Sequence, residues 1–583
     1  LTVNCDGGFC DLGQPAQMTA IGRKAVVSWP SCSLPHLPKQ ESTALYRNDF
    51  LLLSPSGDAS VYDPICLEKE RAMRVLVAIA LALIAAVPGV TQWPMADPRP
   101  VFHYAPQRNW MNDPNGLVYY DGEYHLFYQY NPHGDRWGHM SWGHAVSPDL
   151  VSWRELPLAL PETEVMAFSG SAVIDWKNTS GFGRGGKPAM VAIYTGFDPK
   201  SRIQAQYVAY SNDRGRTFTR HGKVLDIGST EFRDPKVFWH EATRRWVMIV
   251  VKAKEKKAAI YSSPDLKQWS HESDFGPTAS SRSVNWECPD LFELPVENGR
   301  PGETRWVLTV SQGDNGPDGG SGEQWFVGAF DGRRFTLEPG WPDTPHWVDH
   351  GADFYAASSW NEVPDGRRVW IGWATDLRYA HAIPTYPSRG LMTVARSLSL
   401  RREGDDWRIA QAPVRELKQR RGPLRRVENV RLTETPTPLE LGDSVDLLVT
   451  IDPLRASQVG LTLTDAQGHE LLIGYTPETR EVFIDRTRAG PHFHDAFADR
   501  HVATLPPGKG TITLRLLVDR SIVELYAADG TRTITDRFFP GKGPLRWSAT
   551  ARRGDAVIRR LDAWPIEPMR STTKNDGSPA PRI

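Results

Sequence analysis

Cysteine is nearly missing from most of this chain. Of the five cysteines in 583 residues, Cys5, Cys10, Cys32 and Cys66 stand at the start and only Cys288 follows. The main body is therefore not held by internal disulfides, and the first four spacings match no compact zinc pattern. An excess of one charge is lacking too. Lys and Arg number 68 against 69 Asp and Glu, for a net charge of -1. That balance removes the electrostatic case for nucleic acid or an anionic membrane as partner. No P-loop or GxGxxG setting supports a nucleotide, and nothing calls for another cofactor. Long apolar runs are absent as well: Val75 to Val87 gives thirteen residues, short of the ~20 that a membrane span needs.

That run has another reading. Lys69, Arg71 and Arg74 precede it, and Pro88 and Gly89 close it. A charged n-region, a short apolar h-region and a small-residue exit make a secretory signal peptide, residues 73–92. Signal peptides stand at the N-terminus, so Met73 is expected to be the natural start. Residues 1–72 are then a non-native or disordered extension, which N-terminal sequencing of the secreted protein tests. The expected location is extracellular or periplasmic, with no membrane association after cleavage.

What remains is too long for one ordinary domain. From about residue 101 to 400 the pattern is nearly all β, with short alternating runs between Gly, Pro, Asp and Asn. EYHLFYQY (Glu123–Tyr130), PAMVAIYTG (Pro188–Gly196), RWVMIVVKA (Arg245–Ala253) and RWVLTVSQ (Arg305–Gln312) are examples. A weak repeat runs through the same region in AVSPDLVSW (Ala145–Trp153), AYSNDRGRTF (Ala209–Phe218), IYSSPDLKQW (Ile260–Trp269) and GAFDGRRF (Gly328–Phe335). Each is a strand, a polar turn with Asp, and then an aromatic. The interval is that of a four-stranded propeller blade, with unrelated hairpins as the competing reading. Residues 401–425 are charge-rich and read as a linker. Strand patterns resume over 426–568 with the spacing of a β-sandwich, and 569–583 reads as a disordered tail. The basic run Lys252–Ala259 is expected at a solvated blade edge.

Three acids sit in unusual settings. Asp113 lies in MNDPNG, Asp234 in EFRDPKVFW and Glu287 in NWECPDLFEL. The first two immediately precede a proline, which disfavours helix and keeps the carboxylate on a turn or extended backbone. All three lead into apolar strands. Singly, each has a plain alternative as a turn former, an arginine partner or a surface acid. Together they fit a propeller, whose first strands converge on one funnel. Two carboxylates flanking a glycosidic bond are what sugar hydrolysis requires. The 21 tryptophans agree with a sugar ligand, though they also serve a core. His125, His133, His139 and His144 cluster in sequence without a helical metal-ligand spacing, so no metal is assigned.

WMNDPNG, FYQYNP (Phe127–Pro132), FSGSAV (Phe168–Val173), FRDP and WECPDLFEL follow one another in an order that resembles glycoside hydrolase family 32. This is the family of invertases, inulinases and levanases. The similarity runs from about residue 101 to 568, and DRSIVELYAADG (Asp519–Gly530) resembles the family's sandwich. The resemblance implies an all-β fold, a five-bladed β-propeller followed by a C-terminal β-sandwich. It implies Asp113 as nucleophile, Glu287 as general acid and then base, and Asp234 as transition-state stabiliser. Asn112, Gln129, Trp137, Phe168, Ser169 and Arg233 are implied as substrate-binding residues around a terminal fructose. Cys288 is implied as a tuner of Glu287, with a buried inert thiol as the competing reading. Retention would place the Asp113 and Glu287 carboxyls about 5–5.5 Å apart.

One segment departs from the pattern. In Ile371–Thr393, Leu377 and Ser388 stand where the family commonly has tryptophan, with Trp373, Tyr379 and Tyr386 as candidate replacements. The expected activity is exo-hydrolysis of levan or inulin, and of sucrose. A fructosyltransferase, an endo-fructanase and an inactive fructan-binding protein are the alternatives. Oligomeric state is not readable.

Overall fold

The computed structural model describes residues 99–508 and 510–568, together with the backbone of one hairpin, Met18–Ile21 paired with Lys24–Val27. That hairpin belongs to a separate unit, Leu1–Thr91. The rest of the expected extension, the signal peptide over 73–92 and the tail over 569–583 lie outside the described residues.

Five antiparallel sheets of four main strands follow from residue 109. Blade I holds Asn109–Tyr120, Glu123–Asn131, Ser141–Ser147 and Arg154–Leu160. Blade II holds Met166–Ile174, Met190–Phe197, Gln204–Ser211 and Thr219–Leu225. Blade III runs from Phe232–His240 to Ser270–Phe275, and blade IV from Glu287–Pro295 to Phe335–Leu337. Blade V holds Tyr355–Ser359, Arg368–Trp373, Arg396–Glu403 and Asp406–Pro413. The first strand of each blade packs against the first strand of the next, and that of blade V against blade I, so the ring closes. Each blade is covered on both faces, which explains the unbroken apolar burial of second strands such as Met190–Phe197 and Arg245–Lys252.

The sequence repeat is the turn between third and fourth strands in blades I to IV. Asp149, Asp213, Asp265 and Asp331 each accept backbone N–H groups two to four residues ahead. A short acceptor side chain that closes its own turn is the reason Asp recurs there.

Two expectations are corrected. Residues 401–413 are not linker: with Arg396–Leu400 they form the outer hairpin of blade V. Alternation is present, but the inward row begins with the fully buried Arg396, so charge masked the pattern. Nor is Lys252–Ala259 a blade edge. It is the connection between the two middle strands of blade III, where Lys252 pairs with Asp274 at 2.9 Å.

A short 3-10 turn, Arg415–Arg420, leads into a sandwich of two six-stranded sheets. Leu447, Val449, Leu461, Ile473, Leu516, Leu525 and Ile558 fill the space between them. Within it, Ile512–Asp519 and Ile522–Ala527 form an antiparallel hairpin.

Candidate active site

All five first strands share one irregularity. Met111 to Pro114 opposes Tyr130 to Tyr128, so three steps face two. The same extra residue appears in Ala167–Gly170, Arg233–Lys236, Glu287–Asp290 and Tyr355–Ser358. A bulge breaks the in–out alternation and re-aims side chains. Repeated around a closed ring, it turns five short segments toward one mouth: Asn112–Asp113, Phe168–Ser169, Arg233–Asp234, Glu287–Cys288 and Tyr355–Ala356. Asp234, Cys288 and Ala356 carry φ values of 64°, 44° and 51°. Left-handed backbone at non-glycine residues costs on the order of 1 kcal/mol each, and such strain collects where geometry serves chemistry.

The three acids meet around Cys288. Its Sγ lies 3.5 Å from Asp113 Oδ2 and 3.8 Å from Asp234 Oδ2, and its backbone N–H donates to Asp234 Oδ2 at 3.1 Å. Glu287 precedes it in the chain. Asp113 accepts from Ser169 Oγ at 2.6 Å and from Asn112 Nδ2 at 3.0 Å. Asn112 is fixed in turn by the Trp110 indole N–H at 2.8 Å. Asp234 is held through its own N–H, which donates to Thr195 Oγ1 at 2.9 Å. Glu287 takes Arg233 on Oε1 at 2.8 Å and the Tyr355 hydroxyl on Oε2.

Burial and crowding set the electrostatics. Burial pushes the Asp113 carboxyl up, while the Ser169 and Asn112 donors pull it back. Burial carries Asp234 to about 7, opposed by Arg233 and reinforced by the charges of Glu287 and Asp113. Carboxylates this close cannot all ionise cheaply, so the cluster retains a proton toward neutrality. Burial and the same carboxylates push the Cys288 thiol well up. It is a neutral S–H facing Asp113 and Asp234, and not a nucleophile.

Of the other expected residues, Ser169 and Asn112 contact the cluster directly. Arg233 does too, bridging Glu287 to Glu231 at 2.8 and 2.7 Å. Trp137 stands half exposed at the rim, edge-on to Phe168, whose other neighbour is Phe197, stacked at 5.0 Å. Gln129 is buried and its amide donates to the Ala167 carbonyl at 2.9 Å, so it braces the start of blade II. Tyr355 and Thr195 were not singled out in the sequence. YAAS carries neither an acid nor a proline, and only alignment of the five bulges picks it out.

The candidate aromatics of the departing segment separate. Trp373 is core, packed on Trp110, and Tyr379 is buried, whereas Tyr386 is 77% exposed. Among the clustered histidines, His125 and His144 hydrogen-bond each other at 3.0 Å in a stack with Phe127. A cavity of about 820 Å³ lies elsewhere, between blade V and the sandwich. Its carboxylates Glu403 and Asp406 are already paired with Arg532 and Arg408, which leaves no convergent acids for catalysis there.

Residues 103–413 match the glycosyl hydrolases family 32 N-terminal domain, and residues 415–565 match the family 32 C terminal. The chain is 40% identical to a levanase of Bacillus subtilis (strain 168) over 521 residues, covering 87% of this chain and 76% of that one. It is 37% identical to an extracellular exo-inulinase of Aspergillus awamori, covering 80% of this chain and 94% of that one. The crystal structure of the A. awamori exo-inulinase superposes with a TM-score of 0.76 at 36% identity, covering 81% of this chain and 99% of that one. A fructofuranosidase from Schwanniomyces occidentalis complexed with fructose gives 0.75 at 32%, covering 82% and 100%.

Proposed function

The chain belongs to glycosyl hydrolase family 32, and from that premise we propose that it is a retaining β-fructofuranosidase that releases fructose from the non-reducing end of levan or inulin, and also cleaves sucrose. The observation that carries this reading is the convergence of Asp113, Asp234 and Glu287 on one mouth through a bulge repeated in every blade.

Asp113 attacks the anomeric carbon of the terminal fructosyl unit, and Glu287 gives its proton to the departing oxygen. The bond from anomeric carbon to leaving oxygen breaks as the bond to Asp113 forms. Glu287, now a base, takes a proton from water, which attacks the same carbon and frees fructose and Asp113. Ser169 and Asn112 hold Asp113 as an acceptor-rich anion aimed along one line. Arg233 and Tyr355 fix the two oxygens of Glu287. Asp234 accepts fructose hydroxyls, and its charge stabilises the oxocarbenium-like transition state.

Leu377 in place of an aromatic suits a wide leaving-group side and hence a polymer. The secretion signal expected over residues 73–92 agrees with an external polymer. Among the described residues, no helix is long and apolar enough to cross a membrane. The test is product analysis after separate incubation with levan, inulin and sucrose, with Glu287→Gln as control. Free fructose as the sole early product from a polymer, absent from the control, is expected. A ladder of oligomers means endo-cleavage, products longer than sucrose mean transfer, and no product from any substrate removes the enzymatic reading.

A further inference from the structure

Given the proposed function, the leaving group departs on the side of the proton donor, Glu287. Three pieces of chain build that side. One is Asn285, whose Oδ1 is a buried acceptor with no partner in the protein. The second is the glycine-rich loop 313–321. A Cβ on Gly313 would lie 3.3 Å from Asn285 Oδ1 and 3.5 Å from Leu377 Cδ1, so loop, Asn285 and Leu377 meet at one place. The third is the segment 376–381 that carries Leu377.

Loop and segment are tied together. Ser321 N–H donates to Asp376 Oδ2 at 3.2 Å, and Leu377 N–H donates to Ser321 Oγ at 3.1 Å. Gly320 is required at the crossing, because a Cβ there would fall 1.9 Å from Asp376 Oδ2. Arg378 binds Asp376 at 2.9 Å and also pairs with Asp318. The near end of the loop is fastened before Glu287, where Asp314 Oδ1 accepts Val284 N–H at 2.9 Å. The far end of the segment reaches the nucleophile's strand, with His381 stacked on Trp110 at 4.6 Å.

Both pieces are gripped from the sandwich. His501 Nε2 lies 3.4 Å from Asp318 Oδ2, with its Nδ1 2.8 Å from Asp536. Arg486, fully buried, donates to Tyr379 Oη at 2.9 Å and to Asp353 at 2.6 Å, with its guanidinium over the Phe497 ring. Tyr379 also donates to Asp353 at 2.8 Å. Buried ion pairs are weak sources of net stability, and their best-attested use is to specify one geometry. We propose that His501 and Arg486 of the sandwich are positioning residues for the leaving-group wall, so that the sandwich sets how the site holds the fructan remainder beyond the scissile bond. Burial opposes the His501 charge, but Asp536 and Asp318 hold its ring up to about 9, so the grip persists at neutral pH.

The experiment compares leaving groups in the full chain carrying His501→Gln or, separately, Asp318→Asn. Methyl β-D-fructofuranoside presents almost no leaving group to the wall, whereas a fructan trisaccharide and the polymer span it. Expected is kcat/KM within about twofold of wild type on the methyl glycoside. On the longer substrates it falls about tenfold, mainly through KM, the signature of lost uniform binding. An equal loss on all substrates, or no loss on any alongside a lowered Tm, overturns the proposal and leaves a merely structural network. Should His501→Gln fail to fold, Asp318→Asn decides by the same comparison. Wild-type protein inert toward every fructoside overturns the proposed function instead.

Discussion

Asp234 is held in its place at the expense of the fold. Its backbone is left-handed, its side chain is buried, and two further carboxylates face it. With a folded value of about 7 against 3.8 for the free group, the native state binds a proton that the unfolded chain has released. Stability from this group is therefore complete below about pH 4 and is lost as pH rises to about 7. That difference corresponds to about 4 kcal/mol at most. Asp234→Asn keeps an acceptor for the Cys288 N–H and removes the charge. The expected outcome is a variant with fructoside hydrolysis reduced by about a thousandfold or more and with higher stability. The gain should grow between pH 4 and 7 and then level off. Denaturant unfolding of both proteins across that range checks it, and a difference independent of pH would show that Asp234 is not the destabilising charge.

At the scale of elements, one bulge explains both the site and what lies beneath it. The residues that follow it in blades III, IV and V are Lys236, Asp290 and Ser358, and Lys236 bonds the other two. Lys236 Nζ lies 3.0 Å from Asp290 Oδ2 and 3.3 Å from Ser358 Oγ, and Asp290 also accepts the Ser359 N–H at 2.7 Å. This buried set closes the ring's axis under the acids. Lys236→Met leaves Asp290 buried without its cation, and breaking such a pair costs about 3–5 kcal/mol. Lys236→Met with Asp290→Asn should recover a large part of that loss, as measured by chemical denaturation; equal losses in single and double variants would rule the pairing out. The same elements show what the sequence could carry. Asp113 and Asp234 were legible because each immediately precedes a proline at the head of an apolar strand, and all three acids because WMNDPNG, FRDP and WECPDLFEL resemble family motifs. Tyr355 was not legible, since the bulge that aims it exists only relative to Trp373 and Ile371 on the neighbouring strand. Register is a property of two strands, and neither strand states it alone. The hairpin over 401–413 was hidden for a related reason. Arg396 occupies an apolar-looking inward position only because the sandwich supplies its counter-charge.

That counter-charge makes propeller and sandwich a single mechanical unit. Glu524, on the sandwich strand Ile522–Ala527, accepts from Arg396 at 2.8 Å, from the Val394 N–H at 2.8 Å and from its own sheet's Tyr526, and lies 3.0 Å from His103 Nε2. Asp519 takes the other nitrogen of His103 at 2.9 Å together with the N–H groups of Val101, Phe102 and His103. Arg396 reaches on to Asp349 at 3.1 Å. Burial opposes the Glu524 charge, but Arg396 and His103 hold its carboxyl down to about 2. Burial likewise opposes the His103 cation, and the Asp519 and Glu524 hydrogen bonds raise it in spite of that. The signs differ. The Glu524 contribution is present above its unfolded value, near 4.5, and is lost as pH falls to about 2, a span worth about 3 kcal/mol. The His103 contribution is present below its unfolded value of 6.5 and is lost as pH rises through its raised folded value. Both are complete only between about pH 4.5 and 6.5, so the seam is strongest there. Glu524→Gln leaves Arg396 and His103 without their shared anion and should cost about 3–5 kcal/mol within that window. The Tm of wild type and variant, followed from pH 2 to 8, should diverge most between 4.5 and 6.5 and converge toward pH 2; parallel curves would mean that the seam is held by packing, with its ions as passengers.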